Sequence, residues 1–386
     1  MKTNKMILTL LIAGISFGDN MQGDTSTQAK AKGEKLIEAA QKGDLASVQR
    51  LIKAGANVNQ GVINPWDGNV GDTALMCAVK RAKVAKINEQ YAPDESRYLK
   101  IVQTLINAGA NVNQKDTEGN TAIKIAADYS LLKIVQTLIN AGANVNAANN
   151  KGDTALMGAA GSNLTIIQAL IKAGANVNQK NTEGWTALMC AMKNGVYCGN
   201  PFERVQALIK AGATINDADQ TGFTVLMGAI VYNSKMVPLL IKAGANVNAV
   251  SKDGDTVLMW AVARATINNC EMVPLLIKAG ANVNAASKNG DTVLMWAVKS
   301  AIINNCEMVS LLIKAGANVN AASKNSKTAL KIANQQLKEE IKEYKKWLKE
   351  DYLPKEIKNS ESEEFKYTIN TYKKIIRLLI KAGAKA

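Results

Sequence analysis

The chain has 386 residues, of which 47% are hydrophobic but only 5% aromatic, so Ala, Leu, Ile, Val and Met must build its core. Its 47 Lys and Arg residues exceed its 32 Asp and Glu residues, which gives a formal net charge of +15, and it contains no histidine. The lack of histidine excludes Ser-His-Asp and Cys-His catalysis, HExxH metalloproteases and histidine-liganded zinc.

The N-terminal residues 1–18 are predicted to be a secretory signal peptide. Two lysines precede an apolar run over residues 6–18, which is too short to span ~30 Å of hydrocarbon. Ser16 and Gly18 are small residues at the positions that precede signal cleavage, so the mature chain should begin at or near Asp19. The alternative is an uncleaved N-terminal anchor.

Residues 19–32 are predicted to be a flexible linker, and the folded region is predicted to occupy residues 33–386 as an array of repeats. Thr-[Ala/Val]-[Leu/Ile] recurs at Thr73, Thr121, Thr154, Thr186, Thr224, Thr256, Thr292 and Thr328. Ala-Gly-Ala recurs nine times, with its glycine at Gly55, Gly109, Gly142, Gly174, Gly212, Gly244, Gly280, Gly316 and Gly383. Repeats of about 33 residues are typical of solenoids, in which each repeat packs only on its neighbours.

Each repeat is predicted to be a pair of helices. The threonine should cap the first helix, and the small alanine that follows, such as Ala159 or Ala261, allows close helix contact. The second helix should end at Ala-Gly, with the glycine in a left-handed conformation. A lysine before this signal lies near the negative end of the helix, which explains a stripe formed by Lys53, Lys172, Lys210, Lys242, Lys278, Lys314 and Lys381.

These motifs resemble a known family. Residues 152–160 read Gly-Asp-Thr-Ala-Leu-Met-Gly-Ala-Ala, and residues 167–178 read Ile-Gln-Ala-Leu-Ile-Lys-Ala-Gly-Ala-Asn-Val-Asn, which resembles the ankyrin repeat. The family's Thr-Pro-Leu-His start is replaced here by Thr-[Ala/Val]-[Leu/Ile]-[Met/Lys]. The resemblance implies an all-α, ankyrin-type solenoid of about nine helix-pair repeats with projecting hairpin fingers. It also implies a concave groove, lined by first helices and fingers, that holds partners.

The two ends and two insertions depart from the repeat pattern. Residues 33–67 are predicted to be an N-terminal cap repeat, and residues 81–98 a long insertion that extends a helix and forms a loop; a basic contact site there is the alternative. Residues 323–386 are predicted to be a C-terminal cap repeat with its own insertion. A stripe at Leu337, Ile341, Tyr344 and Leu348 should lengthen its first helix. The acidic run at 361–364 should form a loop, residues 367–380 should close the fold, and a docking arm is the alternative.

The five cysteines do not predict a disulfide framework. Cys270 and Cys306 are equivalent positions in adjacent repeats, whose helices should lie ~8–10 Å apart, too far for a bridge. Only Cys190 and Cys198 are close enough in sequence to pair, and that alternative stays open. No CxxC motif, metal-ligand set or phosphate-binding loop occurs, so we expect no cofactor, no metal and no catalytic residue.

Large side chains at variable positions mark a candidate partner site. The residue after each finger glycine is Trp185 in repeat five and Phe223 in repeat six, and the residue after the repeated Met is Trp260 in repeat seven and Trp296 in repeat eight. Aromatic anchors usually carry binding energy. The predicted site is completed by Gly228, which leaves room beside Trp260, and by methionines that form adaptable walls: Met227, Met259 and Met295. The alternative is that the tryptophans only fill gaps between repeats.

Together these features predict an exported bacterial protein, periplasmic or secreted, that acts as a monomeric, non-enzymatic scaffold and binds a peptide or loop of another protein. Nucleic acid and small-molecule substrates are not expected, because arginine is scarce among the bases and no phosphate loop is present. The alternative is an envelope structural protein whose basic exterior binds an anionic cell-surface polymer.

Overall fold

The computed structural model describes residues 25–61, 71–87, 95–193, 201–264, 271–300, 305–347 and 355–385. The predicted signal peptide, Leu348, Cys198 and Cys270 lie outside these ranges. The chain divides into two compact bodies, Met1–Thr117 and Glu118–Ala386. All regular elements in the described ranges are helices, as the all-α prediction requires, and no helix among them is both long and apolar enough to be a membrane span.

The N-terminal body contains the first two repeats. Its helices are α1 (Thr25–Lys42), α2 (Leu45–Lys53), α3 (Ala74–Ile87) and α4 (Glu95–Asn107). The predicted linker 19–32 is wrong over residues 25–32, which form the start of α1. Within the predicted insertion 81–98, residues 81–87 extend α3 as expected, while residues 95–98 begin α4 instead of a loop. Tyr98 is buried there, and its hydroxyl donates a hydrogen bond to the Gln41 carbonyl oxygen in α1 at 3.1 Å.

The C-terminal body contains repeats three to nine, each with an inner and an outer helix. In chain order the helices are α5 (Ala122–Asp128), α6 (Leu132–Asn140), α7 (Ala155–Ala160), α8 (Leu164–Lys172), α9 (Ala187–Lys193), α10 (Phe202–Lys210), α11 (Val225–Tyr232), α12 (Val237–Lys242), α13 (Val257–Ala263), α14 (Met272–Lys278), α15 (Val293–Lys299), α16 (Asn305–Lys314), α17 (Ala329–Trp347) and α18 (Lys355–Lys381). The inner helices α5, α7, α9, α11, α13, α15 and α17 pack on one another in succession. Their shared Ala and Leu positions are almost fully buried and form the core.

The last repeat is closed by two long helices. Helix α17 is longer than the other inner helices, as the stripe at Leu337, Ile341 and Tyr344 predicts. The acidic run at 361–364 was predicted to be a loop, but it lies inside α18. Tyr344, Trp347 and Phe365 form an aromatic cluster with ring centroids 5.4–6.1 Å apart, which joins α17 to α18. This contact stabilises helix where charge alone predicts a loop, and it favours a cap over a free arm.

Most of the predicted helix caps and all of the predicted left-handed glycines are present. Thr224 begins α11, and its hydroxyl oxygen accepts a hydrogen bond from the Met227 amide. Seven of the eight repeated threonines cap in this way; Thr121 makes no side-chain cap bond. All nine Ala-Gly-Ala glycines have φ between 79° and 91°, which is the left-handed region.

Hairpin fingers connect the repeats. Five fingers turn between a residue such as Ala218 and the capping threonine, here Thr224, and these two residues form an antiparallel bridge. Neighbouring fingers are joined by a backbone hydrogen bond, for example from the Lys252 amide to the Thr221 carbonyl oxygen at 2.7 Å. The bonds continue from finger to finger up to Lys324, so the fingers of this body form one hydrogen-bonded row.

A ladder of asparagines also joins consecutive repeats, and the sequence analysis did not identify it. The Asn248 side chain donates to the Gly280 carbonyl oxygen at 3.0 Å and accepts from the Asn282 amide at 2.7 Å, both in the next repeat. Six other asparagines make the same pair of bonds: Asn59, Asn146, Asn178, Asn216, Asn284 and Asn320. The final asparagine of Asn-Val-Asn is therefore an inter-repeat staple, and not merely the entry to a turn.

Asn248→Ala should lower the free energy of unfolding by about 1 to 2 kcal/mol, because two hydrogen bonds between repeats six and seven are lost. Urea denaturation of the purified protein measures this change. Asn289→Ala is the matched control, since that side chain lies exposed on a finger, and it should be nearly neutral. Equal losses in the two variants would show that the ladder does not couple the repeats.

Candidate partner-binding surface

Two positions of the repeat meet at the junction between repeats six and seven. One is the residue after the finger glycine, and the other is the fifth residue after it, in the first turns of the inner helix. Phe223 and Trp260 occupy these positions in repeats six and seven, and their rings meet edge to face with centroids 5.7 Å apart. Asp153 and Cys190 are the corresponding pair in repeats four and five, and the Asp153 charge helps to raise the pKa of the Cys190 thiol. The ring contact of Phe223 and Trp260 shows the two positions side by side.

The four predicted aromatic residues, which we call the aromatic surface, are Trp185, Phe223, Trp260 and Trp296. Each is half-buried. The aliphatic residues at the tryptophan position in other repeats, such as Ile125 and Ile332, are buried. The indoles are too large to be enclosed in the same way, so each of them fills the junction between repeats and also presents a face to solvent.

The structure changes the predicted role of Gly228. A Cβ atom at this position would lie 3.5 Å from Phe223 Cε1 and 3.8 Å from Met192 Cβ. The space that the missing side chain leaves beside Trp260 is therefore bordered by the Phe223 ring, and is not an open cavity.

The predicted methionine walls are instead part of the core. Met227, Met259 and Met295 are completely buried, so they cannot line an open surface. The Met259 sulfur accepts a hydrogen bond from the Thr256 amide at 3.4 Å, which fixes the start of α13. The methionines therefore support the aromatic surface from below, because their helical position faces the neighbouring inner helices.

The indole N–H groups of Trp260 and Trp296 are enclosed and have no hydrogen-bond partner among the described residues. An unsatisfied buried donor costs about 1 to 3 kcal/mol. Two equivalent residues that carry this cost are not optimised for stability. Such a cost is common at functional positions, where packing is not the only constraint.

Charged side chains border the aromatic surface. Lys193 Nζ lies 4.7 Å from the centre of the Trp185 ring, and Lys299 Nζ lies 2.7 Å from Asp291 Oδ2. Burial, reinforced by the charges of Asp253 and Asp291, raises the pKa of the Asp255 carboxyl.

A cleft of about 360 Å³ lies beside the Asp291–Lys299 pair. It is lined by residues of repeats eight and nine: Asn289, Ser323, Asn325, Lys327, Ile332, Gln335 and Gln336. Sequence reasoning missed these contacts because they join positions eight residues apart or in different repeats.

The C-terminal ends of the outer helices form a row of lysines in the C-terminal body, which we call the basic edge. The lysines at the ends of outer helices α8, α10, α12, α14, α16 and α18 are exposed and form no ion pair within the described part of the chain: Lys172, Lys210, Lys242, Lys278, Lys314 and Lys381. Their position at helix C-termini matches the helix dipole. This accounts for the stripe without a ligand.

The described residues contain no cluster of Cys, Asp and Glu side chains arranged to hold a metal ion. Cys190 and Cys306 are free thiols within the described residues, and Cys198, the alternative partner of Cys190, lies outside them. Burial, together with the nearby negative charge of Asp153, raises the pKa of Cys190 to about 12.

Cys190 should therefore resist alkylation, because at that pKa only about 10⁻⁵ of the thiol is ionised at pH 7 and the thiolate is the reactive form. Iodoacetamide at pH 7, followed by peptide mass spectrometry, should leave Cys190 unmodified in the folded protein. The same treatment in urea should modify it fully. Modification of Cys190 in the folded protein at the rate of a model thiol would contradict the described burial.

Comparison with known proteins places these repeats in a family. Five overlapping matches to the model described as "Ankyrin repeats (3 copies)" cover residues 91–181, 156–251, 196–286, 233–323 and 258–351, which together are more than half of the chain. No curated protein matches the chain. Ankyrin repeats generally mediate protein–protein interaction, and proteins built from them are generally non-enzymatic scaffolds. The matched model, the helix pairs and the linked fingers lead to one conclusion: the chain belongs to the ankyrin repeat family.

Proposed function

We propose that this chain is an exported, non-enzymatic scaffold that acts as a monomer and binds a peptide or loop of another protein across the aromatic surface. The observation that carries the proposal is the row of half-buried aromatic rings at variable positions of four consecutive repeats. Large aromatic side chains contribute most of the energy at protein interfaces. The fingers beside them are held by backbone hydrogen bonds, so the surface is pre-organised for binding.

The proposal includes export from a bacterial cell, to the periplasm or the medium. The support is the sequence of residues 1–18, with two lysines before a short apolar run and small residues before Asp19. Intact mass measurement of the protein from the producing cell should give a chain that starts at or near Asp19. A soluble cytosolic pool that retains residues 1–18 would contradict export, and the partner-binding proposal would then apply inside the cell.

The competing function is binding of an anionic cell-surface polymer. The exposed lysines of the basic edge, such as Lys210 and Lys278, would bind it. Their regular spacing and the lack of ion pairs in the described part favour it as the second candidate. Salt separates the two functions. Polymer binding should weaken steeply between low and high ionic strength, whereas binding at the aromatic surface should change little.

Variants of the two surfaces test the two candidates directly. Lys210→Glu combined with Lys278→Glu should leave binding of the protein partner unchanged, while Trp260→Ala should reduce it. The reverse pattern would assign the binding function to the basic edge. Circular dichroism confirms that each variant is folded before binding is compared.

A further inference from the structure

Repeats seven and eight are nearly identical, and one of the few differences between them places a lysine beside an aspartate in repeat eight only. Residues 255–290 and 291–326 differ at only five positions: Ala263/Lys299, Arg264/Ser300, Thr266/Ile302, Pro274/Ser310 and Gly290/Ser326. The first difference borders the aromatic surface, because Lys299 pairs with Asp291, the residue after the finger glycine. Repeat seven has Asp255 in the place of Asp291, but Ala263 in the place of the lysine.

In three other repeats a lysine stands eight residues after the residue that follows the finger glycine. We call this position the cation seat. Lys299 Nζ is 2.7 Å from Asp291 Oδ2 in repeat eight, and Lys193 lies over the Trp185 ring in repeat five. In the N-terminal body, Lys80 Nζ is 2.8 Å from Asp72 Oδ2 by the same spacing. Three repeats therefore place an ammonium group at this point of the surface.

Among the residues that the structure describes, Asp255 has no partner for its side chain. Asp72 and Asp291 are paired with lysines, and Asp153 accepts a hydrogen bond from Asn181 Nδ2 at 2.8 Å. In the part of the chain that the structure describes, the Asp255 carboxylate makes neither an ion pair nor a hydrogen bond, and it is half-buried beside Asp253 and Asp291. A partly buried carboxylate with only like charges around it gains more from a cation than a fully solvated one does.

We expect an aromatic ring next to the Asp255 carboxylate. Trp260 meets Phe223 one repeat back, with ring centroids 5.7 Å apart. Trp296 and Asp255 occupy the equivalent positions one repeat further on, so by the same repeat geometry we expect Trp296 to border Asp255. A cation that is bound to a carboxylate and lies against an indole gains both the ionic attraction and the attraction to the ring face.

We propose that Asp255 and Trp296 form a subsite for one arginine or lysine side chain of a partner peptide, and that this side chain occupies the cation seat left empty above Ala263. The inference rests on the proposed function, since it names the chemistry of the peptide bound there. The chain's charge of +15 opposes a strongly basic partner, so the subsite takes a single cation within an otherwise neutral or acidic segment.

A displayed library of random 12-residue peptides, selected on the full chain, tests the subsite. Wild-type protein should enrich peptides with Arg or Lys at one fixed position. Ala263→Lys installs the lysine that repeat eight already has, so it should fill the seat and lower affinity for those peptides about tenfold or more. Lys299→Ala opens a second seat at Asp291 and should add a second basic position to the enriched sequences.

The outcomes separate the subsite from the proposed function. If peptides lose binding with Trp260→Ala but show no basic position, or bind Ala263→Lys as well as wild type, the subsite is overturned and the aromatic surface stands. If no peptide is enriched on the wild-type protein, both proposals fail. Ala263 is exposed, so the lysine variant should fold normally, which its melting temperature verifies.

Discussion

Gly222→Ala should destabilise the protein by about 3 kcal/mol or more, well beyond the usual cost of a positive φ angle, which is roughly 1 to 2 kcal/mol. Gly222 has a φ of 78°, and a Cβ atom there would lie 2.8 Å from the Lys252 amide nitrogen and 3.0 Å from Ser251 backbone atoms. These atoms belong to the next finger and cannot move without breaking the Lys252–Thr221 hydrogen bond. Thermal denaturation measures the total loss, and hydrogen exchange at the Lys252 amide locates it.

Gly244→Ala is the matched control. Gly244 has a φ of 91°, but a Cβ atom there would meet nothing within 4 Å. The two variants therefore share the strain of a left-handed alanine and differ only in the contact with the next finger. Equal melting temperatures for both would show that the fingers are not rigidly linked. The natural chain agrees with the argument at Ser326, where the last finger carries a serine with a φ of 55° and no further finger follows among the described residues.

Trp260→Ala should weaken partner binding about thirtyfold, or roughly 2 kcal/mol, because the half-buried ring is an aromatic anchor beside Phe223. Its effect on folding should be smaller than the 2 to 5 kcal/mol expected for a core substitution, since the ring is half-buried and its removal also deletes an unsatisfied N–H. Isothermal titration with the purified partner and urea denaturation give the two quantities on the same variant.

Two further variants serve as controls for Trp260→Ala. Leu258→Ala, two residues earlier and almost fully buried, should lose stability but bind normally while it remains folded. Trp260→Phe keeps an aromatic ring and should retain most of the affinity. If Trp260→Ala instead melts far below wild type yet binds as well as wild type at low temperature, then the tryptophan is a packing residue and the aromatic surface has no binding role.

The repeat pattern predicted most of the fold because each of its signals acts locally. A threonine before a helix and a glycine after one satisfy backbone groups within a few residues, so Thr224 and Gly244 could be read without neighbours. The errors lie where tertiary contacts outweigh local composition. The charged residues 361–364 and the polar residues 25–32 both read as irregular, yet they belong to helices α18 and α1, which pack on other helices of their bodies.

The candidate site could be predicted only in part. Variable aromatic positions identified Trp260 and Trp296, because a large apolar residue at a partly exposed position is visible in an alignment of repeats. Met259 was misplaced, because one residue along a helix rotates the side chain by about 100° and moves it from the surface to the core. The pairing of Asp291 with Lys299, and the lack of a partner for Asp255 among the described residues, depend on three-dimensional contacts that periodicity does not contain.

Site-specific photocrosslinking tests the central claim most directly. A photoreactive residue at Ala263, on the aromatic side of repeat seven, and another at Lys278, on its basic edge, are compared in the producing cell. Crosslinking of one protein species through position 263, lost when Trp260→Ala is added, is the result we predict. Crosslinking only through position 278, or through 263 regardless of Trp260, would contradict the assignment of partner binding to the aromatic surface.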